Sequence, residues 1–403
     1  MKIITAKYIY RDATYQENMG ILYNNKIIKI APLQSLQKEH PEIEPIRYNG
    51  NSIIYPGFIH PHTHLEFSAN RARLQFGSFI EWLYSVFAYR EELVEALDAS
   101  LMQNALQEMA QSGVTTIGAI SSFGADMQVC KEAKQRVIYF NEVIGSNPAT
   151  VDALFGDFQH RLEESIALAD DSFYPAVAIH SPYAVHPILI QAVLNVAKSK
   201  NLPTTAHFLE SKAEKEWLES NSGDFKELFE KYFNTATAVN TIDGFLKLFD
   251  NHPTLFTHST QAEQEHFDYI NSHKHSVIHC PRSNRLLGCG RAQIEYVNNL
   301  LLGTDGYSSN YSLSKLDELK AALMLHHKAD LKQLASRLIE SITTNPSKAL
   351  KLPVGELKDG YFADFAIFKL ADDLEKSDKG TLALHTILDC QQTEATIVGG
   401  ETI

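Results

Sequence analysis

The chain has 403 residues, of which 44% are hydrophobic and 21% are charged, a composition typical of a globular protein with one large domain and a smaller addition. The formal net charge of −13 argues against general binding to nucleic acid, which requires a basic surface. No apolar run approaches the roughly 20 residues that a membrane helix needs, and the N-terminal segment turns polar too early for a secretory signal, so we expect a cytoplasmic protein that binds neither nucleic acid nor membranes.

The first 55 residues have the pattern of short β-strands. Apolar or alternating segments such as KIITAKYIY and GILYNNKIIKIA dominate, and the pair Asn24 and Asn25 suits a hairpin turn. No helix is predicted in this segment.

From residue 56 to residue 350, short apolar segments alternate with longer segments of helical period. Residues 100–113 and 225–233 are examples of the helices, the first ending at Gly113 and the second followed by Asn234, both typical cap residues. Eight strand–helix units predict a (β/α)8 TIM barrel and favour it over the alternative, an open doubly wound sheet. The predicted strands are SIIYPGFIHPH, GVTTIGAIS, RVIYFNEVIG, YPAVAIHS, LPTTAHFLE, TLFTHS, SVIHCP and NLLLGTD.

The last part of the chain returns to a β-rich pattern, with strand-like FADFAIF and EATIVGGETI. We therefore predict an α/β protein in which residues 1–55 and 351–403 together form a small β-sandwich domain beside the barrel of residues 56–350.

The cysteines indicate neither a disulfide framework nor a thiolate metal site. Cys130, Cys280, Cys289 and Cys390 are scattered, and no C-x-x-C pair occurs. We expect all four to be reduced and mostly buried.

Polar residues stand where several predicted strands end, which is the catalytic face of a (β/α)8 barrel. His62 and His64 are two positions apart at the end of the first strand, so both imidazoles point to the same side and can reach one ion. The strand ends further along the chain contribute His207 and Glu210 from the fifth, His258 from the sixth and Asp305 from the eighth.

These side chains suit a divalent metal ion. Three histidines and an aspartate make a ligand set for Zn²⁺ or Fe²⁺ that leaves a position for water, whose pKa falls to about 7 on the metal. An H-x-H pair alone is a weak signal, but its combination with His and Asp at the fifth and eighth strand ends is specific. The sequence therefore predicts a metal-dependent hydrolytic site.

Several stretches resemble the amidohydrolase superfamily, and the resemblance covers the chain almost end to end. They are PGFIHPHTHLE, HSPYAVHP, TTAHFLES, HCPRSN, LGTDGYSSN and GELKDGYFADFAIF. HFLE and HSPY are similar to the mononuclear deaminases of adenine- or guanine-like rings. Members with two metals usually have a carboxylated lysine at the end of the fourth strand, and AIHSPY has no lysine there. The resemblance thus implies an enzyme with one divalent ion, Zn²⁺ or Fe²⁺.

The resemblance also implies roles for the residues at the strand ends. His62, His64, His207 and Asp305 would bind the metal ion, and Asp305 would also accept a proton of the attacking water. Glu210 would carry protons to the ring nitrogen and later to the leaving ammonia, a task that suits a carboxyl group of raised pKa.

Two further histidines take parts in the same scheme. His258 would hydrogen-bond and orient the water, and His180 would contact the substrate. Zinc deaminases of another fold use the same arrangement, in which a metal-bound hydroxide attacks the ring and a glutamate that is not a metal ligand transfers the protons.

A closer resemblance, carried by HPHTHLEFS, FGSFIEWL and HSPYAVHP, is to the aminofutalosine deaminases. These act in menaquinone biosynthesis by the futalosine route, and the substrate implied here is 6-amino-6-deoxyfutalosine, which has an adenine nucleoside-like part and a benzoate. Glu91 is the candidate for binding the ribose, and Arg90, Arg136 and Arg282 are candidates for binding the benzoate. Barrels of this kind are often homodimers, so a homodimer is a possible assembly.

Other functions remain open. Within the same class, the substrate could be adenosine, S-adenosylhomocysteine, methylthioadenosine or guanine, or a chlorinated triazine in a related hydrolase. A non-catalytic barrel that serves as a binding scaffold would be expected to lack metal ligands, and all four are present together with Glu210.

The remaining histidines and one tryptophan receive other predictions. His60 shares the face of the H-x-H pair but lies deeper, so we expect a buried, hydrogen-bonded residue. His279 is expected behind the ligands or beside the substrate, and His326 and His327 at the surface. Trp82 is expected to pack in the core or over the pocket.

Overall fold

Short strands occupy the N-terminal segment as predicted (the structure, a computed structural model, describes residues 1–371 and 379–403). The strands are β1 (Lys2–Thr5), β2 (Tyr8–Arg11), β3 (Thr14–Glu17), β4 (Met19–Tyr23), β5 (Ile27–Pro32), β6 (Ile46–Arg47) and β7 (Ser52–Pro56). The expectation of no helix was wrong, because α1 (Leu33–Glu39) lies between β5 and β6. Leu36 anchors it against Ile3 and Leu22, and a helix of seven residues is too short to show a periodic pattern.

A sheet of eight parallel strands forms the barrel, and each strand overlaps one of the predicted segments. Its strands lie in chain order from β8 to β15. They are β8 (Phe58–Thr63), β9 (Val114–Ser121), β10 (Arg136–Val143), β11 (Phe173–Ile179), β12 (Thr204–Phe208), β13 (Leu255–His258), β14 (Ser276–His279) and β15 (Leu300–Leu302).

Side chains of the first barrel strand bond to the segment that directly follows the last one, which brings the two edges of the sheet together. Nε2 of His60 lies 2.7 Å from Oγ1 of Thr304, and Oγ1 of Thr63 donates to the carbonyl oxygen of Asp305 at 3.0 Å. His60 is therefore the buried, hydrogen-bonded residue that the sequence predicts. The (β/α)8 barrel is confirmed.

Helices separate the barrel strands and cover them. The predicted helices of residues 100–113 and 225–233 are present, with Gly113 at φ +91° and Asn234 at φ +50° just beyond them. The helices after α1 are α2 (Phe79–Glu95), α3 (Ala99–Gln111), α4 (Met127–Glu132), α5 (Val151–Ala167), α6 (Pro187–Lys200), α7 (Lys212–Ser220), α8 (Asp224–Phe233), α9 (Ile242–Leu248), α10 (Gln264–Ser272), α11 (Pro281–Leu286), α12 (Lys315–Leu325), α13 (Leu331–Glu340), α14 (Thr344–Leu350) and α15 (Lys379–Asp389).

Strands from both ends of the chain pair beside the barrel. The C-terminal strands are β16 (Phe365–Lys369), β17 (Ala395–Val398) and β18 (Glu401–Thr402). One sheet has the order β18-β17-β16-β7-β2-β3, the other has the order β5-β4-β1-β6, and a separate apolar cluster that includes Ile4, Ile21 and Phe365 joins them. The C-terminal segment is not wholly β, since Leu382 and Ile387 of α15 belong to the main core.

A close approach between the first two barrel strands fixes the backbone that carries His62. The pairing of β8 with β9 is irregular between His60 and Thr63. There the carbonyl oxygen of Pro61 lies so near Gly118 that a Cβ at position 118 would stand 2.3 Å from it. Glycine is therefore required at this point of β9.

Gly118→Ala is expected to lower the free energy of unfolding by about 1–3 kcal/mol, since the added methyl group meets backbone that cannot yield. Gly156→Ala is the control, because nothing lies within 4 Å of a Cβ at this helical position and alanine should stabilise the helix by about 0.5–1 kcal/mol. Chemical denaturation of both variants measures the difference. Equal stability of the two variants would contradict the predicted clash.

Two further expectations concern the whole chain. All four cysteines are free and buried. Among the residues that the structure describes, no helix is both long and apolar enough to cross a membrane.

Candidate active site

The predicted site residues, except Glu91, converge at the carboxyl end of the barrel. β8 leads into His64, β11 into His180 and β12 contains His207. His258 ends β13, and Asp305 follows β15 by three residues. Because parallel strands present all their carboxyl ends on one face, residues far apart in sequence meet here.

His62, His64, His207 and Asp305 form one buried cluster. A ring nitrogen of each histidine lies within 4.8 Å of the corresponding nitrogen of the other two. Oδ1 of Asp305 lies 3.6 Å from Nε2 of His62 and 3.4 Å from Nε2 of His64. All four residues are at least nine-tenths buried.

Hydrogen bonds occupy the outer nitrogen of two of these histidines. Nδ1 of His207 donates to the carbonyl oxygen of His180 at 2.7 Å, and Nδ1 of His62 lies 3.3 Å from Oγ1 of Thr257. The Nε2 atoms are thereby left to face the cluster, and Nε2 of His62 is buried without a hydrogen-bond partner in the described part of the chain. Such outer contacts are typical of histidines that bind metal.

Asp305 is held in the same manner. Its Oδ2 accepts hydrogen bonds from the hydroxyl groups of Ser283 at 3.0 Å and Ser309 at 2.5 Å. Its Oδ1 faces the histidines. One carboxylate oxygen therefore orients the side chain while the other remains available.

Burial and neighbouring charges set the protonation of this cluster. Burial lowers the pKa of His62, of His64 to about 4, and of His207 well below its usual range. Burial would raise the pKa of Asp305, but the approach of His62, together with His64 and His258, outweighs it and holds this pKa well below its usual range. Neutral imidazoles and an ionised carboxylate are the forms that bind a metal ion.

Glu210 lies next to this cluster, and Glu214 holds its backbone in place. Its Oε1 is 3.5 Å from Nε2 of His258. The carboxylate of Glu214 accepts hydrogen bonds from the backbone nitrogens of Leu209 at 3.0 Å and Glu210 at 2.7 Å, which fixes the turn. Burial, with the charges of Asp305 and Glu214, raises the pKa of Glu210 well above its usual range, so this carboxyl group can carry a proton near neutral pH.

The backbone turns sharply where three of the strands end. The φ angle is 46° at Leu209, 72° at His258 and 63° at Asp305, a left-handed conformation that costs such residues about 1–3 kcal/mol each. The side chains of His258 and Asp305 are both directed at the cluster. Strain of this kind is concentrated at functional sites.

Comparison with known proteins identifies the family. The profile of the amidohydrolase family matches residues 53–403. The chain belongs to the amidohydrolase family.

Two relatives of this amidohydrolase that align over nearly its whole length are deaminases. It is 40% identical over 403 residues to an aminodeoxyfutalosine deaminase of a Nitratiruptor species, covering 100% of this chain and 99% of the relative. It is 32% identical over 396 residues to an adenosine deaminase of Helicobacter pylori, covering 96% of this chain and 95% of the relative. The crystal structure of Helicobacter pylori aminofutalosine deaminase in complex with methylthio-coformycin matches with a TM-score of 0.93 at 31% identity, covering 100% of both chains. The protein is thus a hydrolase that acts on carbon–nitrogen bonds.

The cluster fits the metal ion expected of an amidohydrolase. Three neutral imidazoles and a carboxylate make the N3O donor set that suits zinc or ferrous iron. The unpartnered Nε2 of His62 would be costly to bury without a ligand. The described residues therefore include a group that can hold one divalent ion.

Glu142, the last residue but one of β10, was not predicted as a site residue. Its Oε1 lies 2.9 Å from Nδ1 of His180, and its Oε2 accepts from the hydroxyl of Ser122 at 2.5 Å. Burial would raise the pKa of Glu142, but His180 and then His207 outweigh it and lower this pKa, while the same carboxylate raises the pKa of His180 against burial. The one signal available was a lone acidic residue at the end of a predicted apolar strand.

Glu142→Gln is expected to lower kcat/KM about 10- to 100-fold, because a charged hydrogen bond of about 1.5–3 kcal/mol that orients His180 is weakened. Metal content should stay the same, since Oε1 lies 3.8 Å from Nδ1 of His207, a nitrogen already bonded to a carbonyl oxygen. Kinetics and elemental analysis check both points, with the exposed Glu163→Gln on α5 as the control. Loss of metal in the Glu142 variant would instead make Glu142 a ligand.

The structure does not bring Glu91 into the buried cluster. Glu91 lies in α2 with an exposed side chain, so its contact with a ribose stays a prediction. Of the three candidate arginines, Arg136 is at the other end of the barrel, in a buried ion pair with Asp364 at 2.8 Å. Arg282 is buried against Glu318 at 2.6 Å. Arg90 is exposed on α2, above the ring of Phe123.

The other predictions for single residues are mostly confirmed. Trp82 joins α2 to the loop after β15, because its Nε1 donates to the carbonyl oxygen of Ser308 at 2.8 Å. His279 is buried behind the cluster, and His327 is exposed. The surface position predicted for His326 was wrong, because the end of α12 turns inward and buries it against His279.

Proposed function

We propose that this amidohydrolase is an aminodeoxyfutalosine deaminase, which converts 6-amino-6-deoxyfutalosine to futalosine and ammonia in menaquinone biosynthesis. The full-length identity of 40% to an aminodeoxyfutalosine deaminase carries the choice of substrate. The buried grouping of Glu210, His258 and Asp305 beside three histidines supports the chemistry.

His62, His64, His207 and Asp305 would hold one divalent ion, Zn²⁺ or Fe²⁺. When bound, such an ion activates water as a nucleophile at neutral pH. Asp305 is placed to accept a proton of that water, because its Oδ2 is held by two serine hydroxyls while its Oδ1 faces the site.

Glu210 and His258 would move and hold the remaining protons. As water adds to carbon 6 of the purine ring, the protonated Glu210 donates to the adjacent ring nitrogen. The ionised Glu210 then takes the proton of the hydroxyl group added at carbon 6 and passes it to the amino nitrogen, which leaves as ammonia when the carbon–nitrogen bond breaks. The proton held by Asp305 restores Glu210 for the next cycle. His258 would orient the oxygen that attacks, and His180, oriented by Glu142, would contact the ring.

Residues of α2 are the candidates for binding the ribose and the benzoate of the substrate. We propose Glu91 for the ribose hydroxyls and retain Arg90 as the candidate cation for the benzoate, because Arg136 and Arg282 are tied to Asp364 and Glu318. The possible homodimer is a further proposal, which analytical ultracentrifugation tests.

A panel of substrates followed at the purine absorbance tests the assignment. We expect kcat/KM to be highest for aminodeoxyfutalosine when it is compared with adenosine, S-adenosylhomocysteine, methylthioadenosine and guanine. A second candidate is adenosine deamination, favoured by the 32% identity to an adenosine deaminase. Higher kcat/KM on adenosine would replace the substrate and leave the mechanism in place.

A further inference from the structure

A chain of polar side chains leads from His258 away from the site. Oδ1 of Asn284 lies 2.8 Å from Nδ1 of His258, and Nδ2 of the same amide lies 3.5 Å from Nδ1 of His279. Nε2 of His279 lies 3.0 Å from Nε2 of His326, and Nδ1 of His326 lies 3.0 Å from Nη1 of Arg291. These contacts form one continuous path between the site and a partly exposed arginine.

Different elements supply the members of this path, and each is held in place. His258 and His279 end β13 and β14, Asn284 is in α11, and His326 follows α12. The three rings are almost fully buried, and burial lowers the pKa of His279 well below its usual range and that of His326 to about 4. A buried neutral imidazole has one nitrogen that donates and one that accepts.

Arg291 determines the direction of every hydrogen bond in the path. It is fixed by a two-point ion pair with Glu295 at 2.8 and 3.0 Å, and a guanidinium group can only donate. Nδ1 of His326 must therefore accept, so its Nε2 donates to Nε2 of His279. Nδ1 of His279 then carries the hydrogen and requires the oxygen of the Asn284 amide.

With the amide oxygen facing His279, the amide nitrogen faces His258 and donates to its Nδ1. The hydrogen of His258 is then on Nε2. The amide as placed in the structure has Oδ1 towards His258, which makes Nδ1 of His279 an acceptor and reverses the path. Nδ1–H of His326 would then meet an N–H of Arg291 at 3.0 Å. Two facing donors leave both without an acceptor. Turning the Asn284 amide over, which exchanges its oxygen and nitrogen with no change of shape, gives every donor in the path an acceptor.

We infer that Arg291, His326, His279 and Asn284 are positioning residues that hold His258 with its hydrogen on Nε2, directed at Glu210 and the reacting oxygen. His258 then donates a hydrogen bond and does not remove a proton from the water. This catalytic meaning rests on the proposed function, whereas the tautomer does not.

The tautomer is measured on the whole protein without a substrate. Zinc-loaded protein labelled with ¹⁵N-histidine gives long-range proton–nitrogen spectra that distinguish a hydrogen on Nε2 from one on Nδ1, and His258→Gln identifies the signal of His258. A hydrogen on Nε2 is expected, and a hydrogen on Nδ1 would overturn the inference. If the protein proves not to be a deaminase, this measurement still decides the tautomer.

Two variants test the path. In Asn284→Asp the carboxylate can only accept, so Nδ1 of His258 must gain a hydrogen, and kcat should fall about 10- to 100-fold, as for the loss of other outer contacts, with metal content retained. Arg291→Met, at a half-exposed position, removes the obligate donor and should give a mixture of His258 tautomers, whereas Arg291→Lys should keep the original one. The control is the exposed His327→Gln, which should keep the wild-type spectrum and kcat. A His258 signal unchanged in both Asn284→Asp and Arg291→Met would show that the path does not set the tautomer.

Discussion

Glu210→Gln is expected to abolish most deamination and leave the metal ion bound. The fall in kcat should be about 10²–10⁴-fold, the contribution typical of a positioned general acid or base. Glutamine keeps the shape of the side chain but can neither deliver nor take up a proton at the ring nitrogen. Turnover at the purine absorbance and elemental analysis of the same sample measure both effects.

The surroundings of Glu210 explain why this loss should be so selective. Its carboxyl group is buried 3.5 Å from His258, while its backbone nitrogen is held by Glu214. Neither contact involves the three histidines that converge on one another. The substitution therefore changes proton transfer without removing a metal donor.

The control for this variant lies on the neighbouring helix. Glu219→Gln on α7 makes the same chemical change at a side chain that is half exposed, and it should leave kcat and metal content as in the wild type. If Glu210→Gln kept wild-type turnover, Glu210 would have no part in proton transfer. If it lost the metal, Glu210 would be a ligand.

The sequence predicted the barrel because its strands are buried on both faces. Such strands read as continuous apolar segments, and their regular alternation with helices is visible without any structure. The first strand shows the limit of this reading, because SIIYPGFIHPH is split at Gly57 into β7 of the small sheet and β8 of the barrel. An apolar run does not reveal which of two sheets it joins.

The cluster of His62, His64, His207 and Asp305 could also be anticipated. All four follow from one rule, that the carboxyl ends of barrel strands share a face. Their roles as metal ligands and the division of the chain into a barrel and a small domain at residues 55 and 350 remain predictions that follow from the same reading.

The supporting residues could not be anticipated in this way. Glu142 is a lone acidic residue in an apolar strand, and its partner His180 is 38 positions away. Asn284 lies on α11 and His326 directly follows α12, so their contacts with His279 depend on how those helices pack. Sequence periodicity predicts which face of a helix is apolar but not which polar side chain it brings against a neighbour.

Removal of the metal ion is expected to abolish turnover and to lower the melting temperature. An ion that binds only the folded protein stabilises it by about 3 kcal/mol at a free concentration of roughly 100 times Kd. Without the ion, Nε2 of His62 and the atoms that face Nε2 remain buried and poorly paired. The folded state therefore loses the free energy that metal binding contributes. Dialysis against a chelator, followed by calorimetry and kinetics, measures the loss of melting temperature and of turnover. Adding back Zn²⁺ or Fe²⁺ should restore both.

Substitution of a single ligand separates this effect from chelator damage. His64→Gln should reduce the bound metal and turnover together, because it removes one imidazole from a cluster in which Nε2 of His64 lies 3.4 Å from Asp305. His160→Gln on α5 removes an exposed histidine and should retain both. Full turnover in the chelated protein would contradict metal dependence. If chelation abolished turnover but His64→Gln kept it, the remaining three residues would suffice to hold the ion.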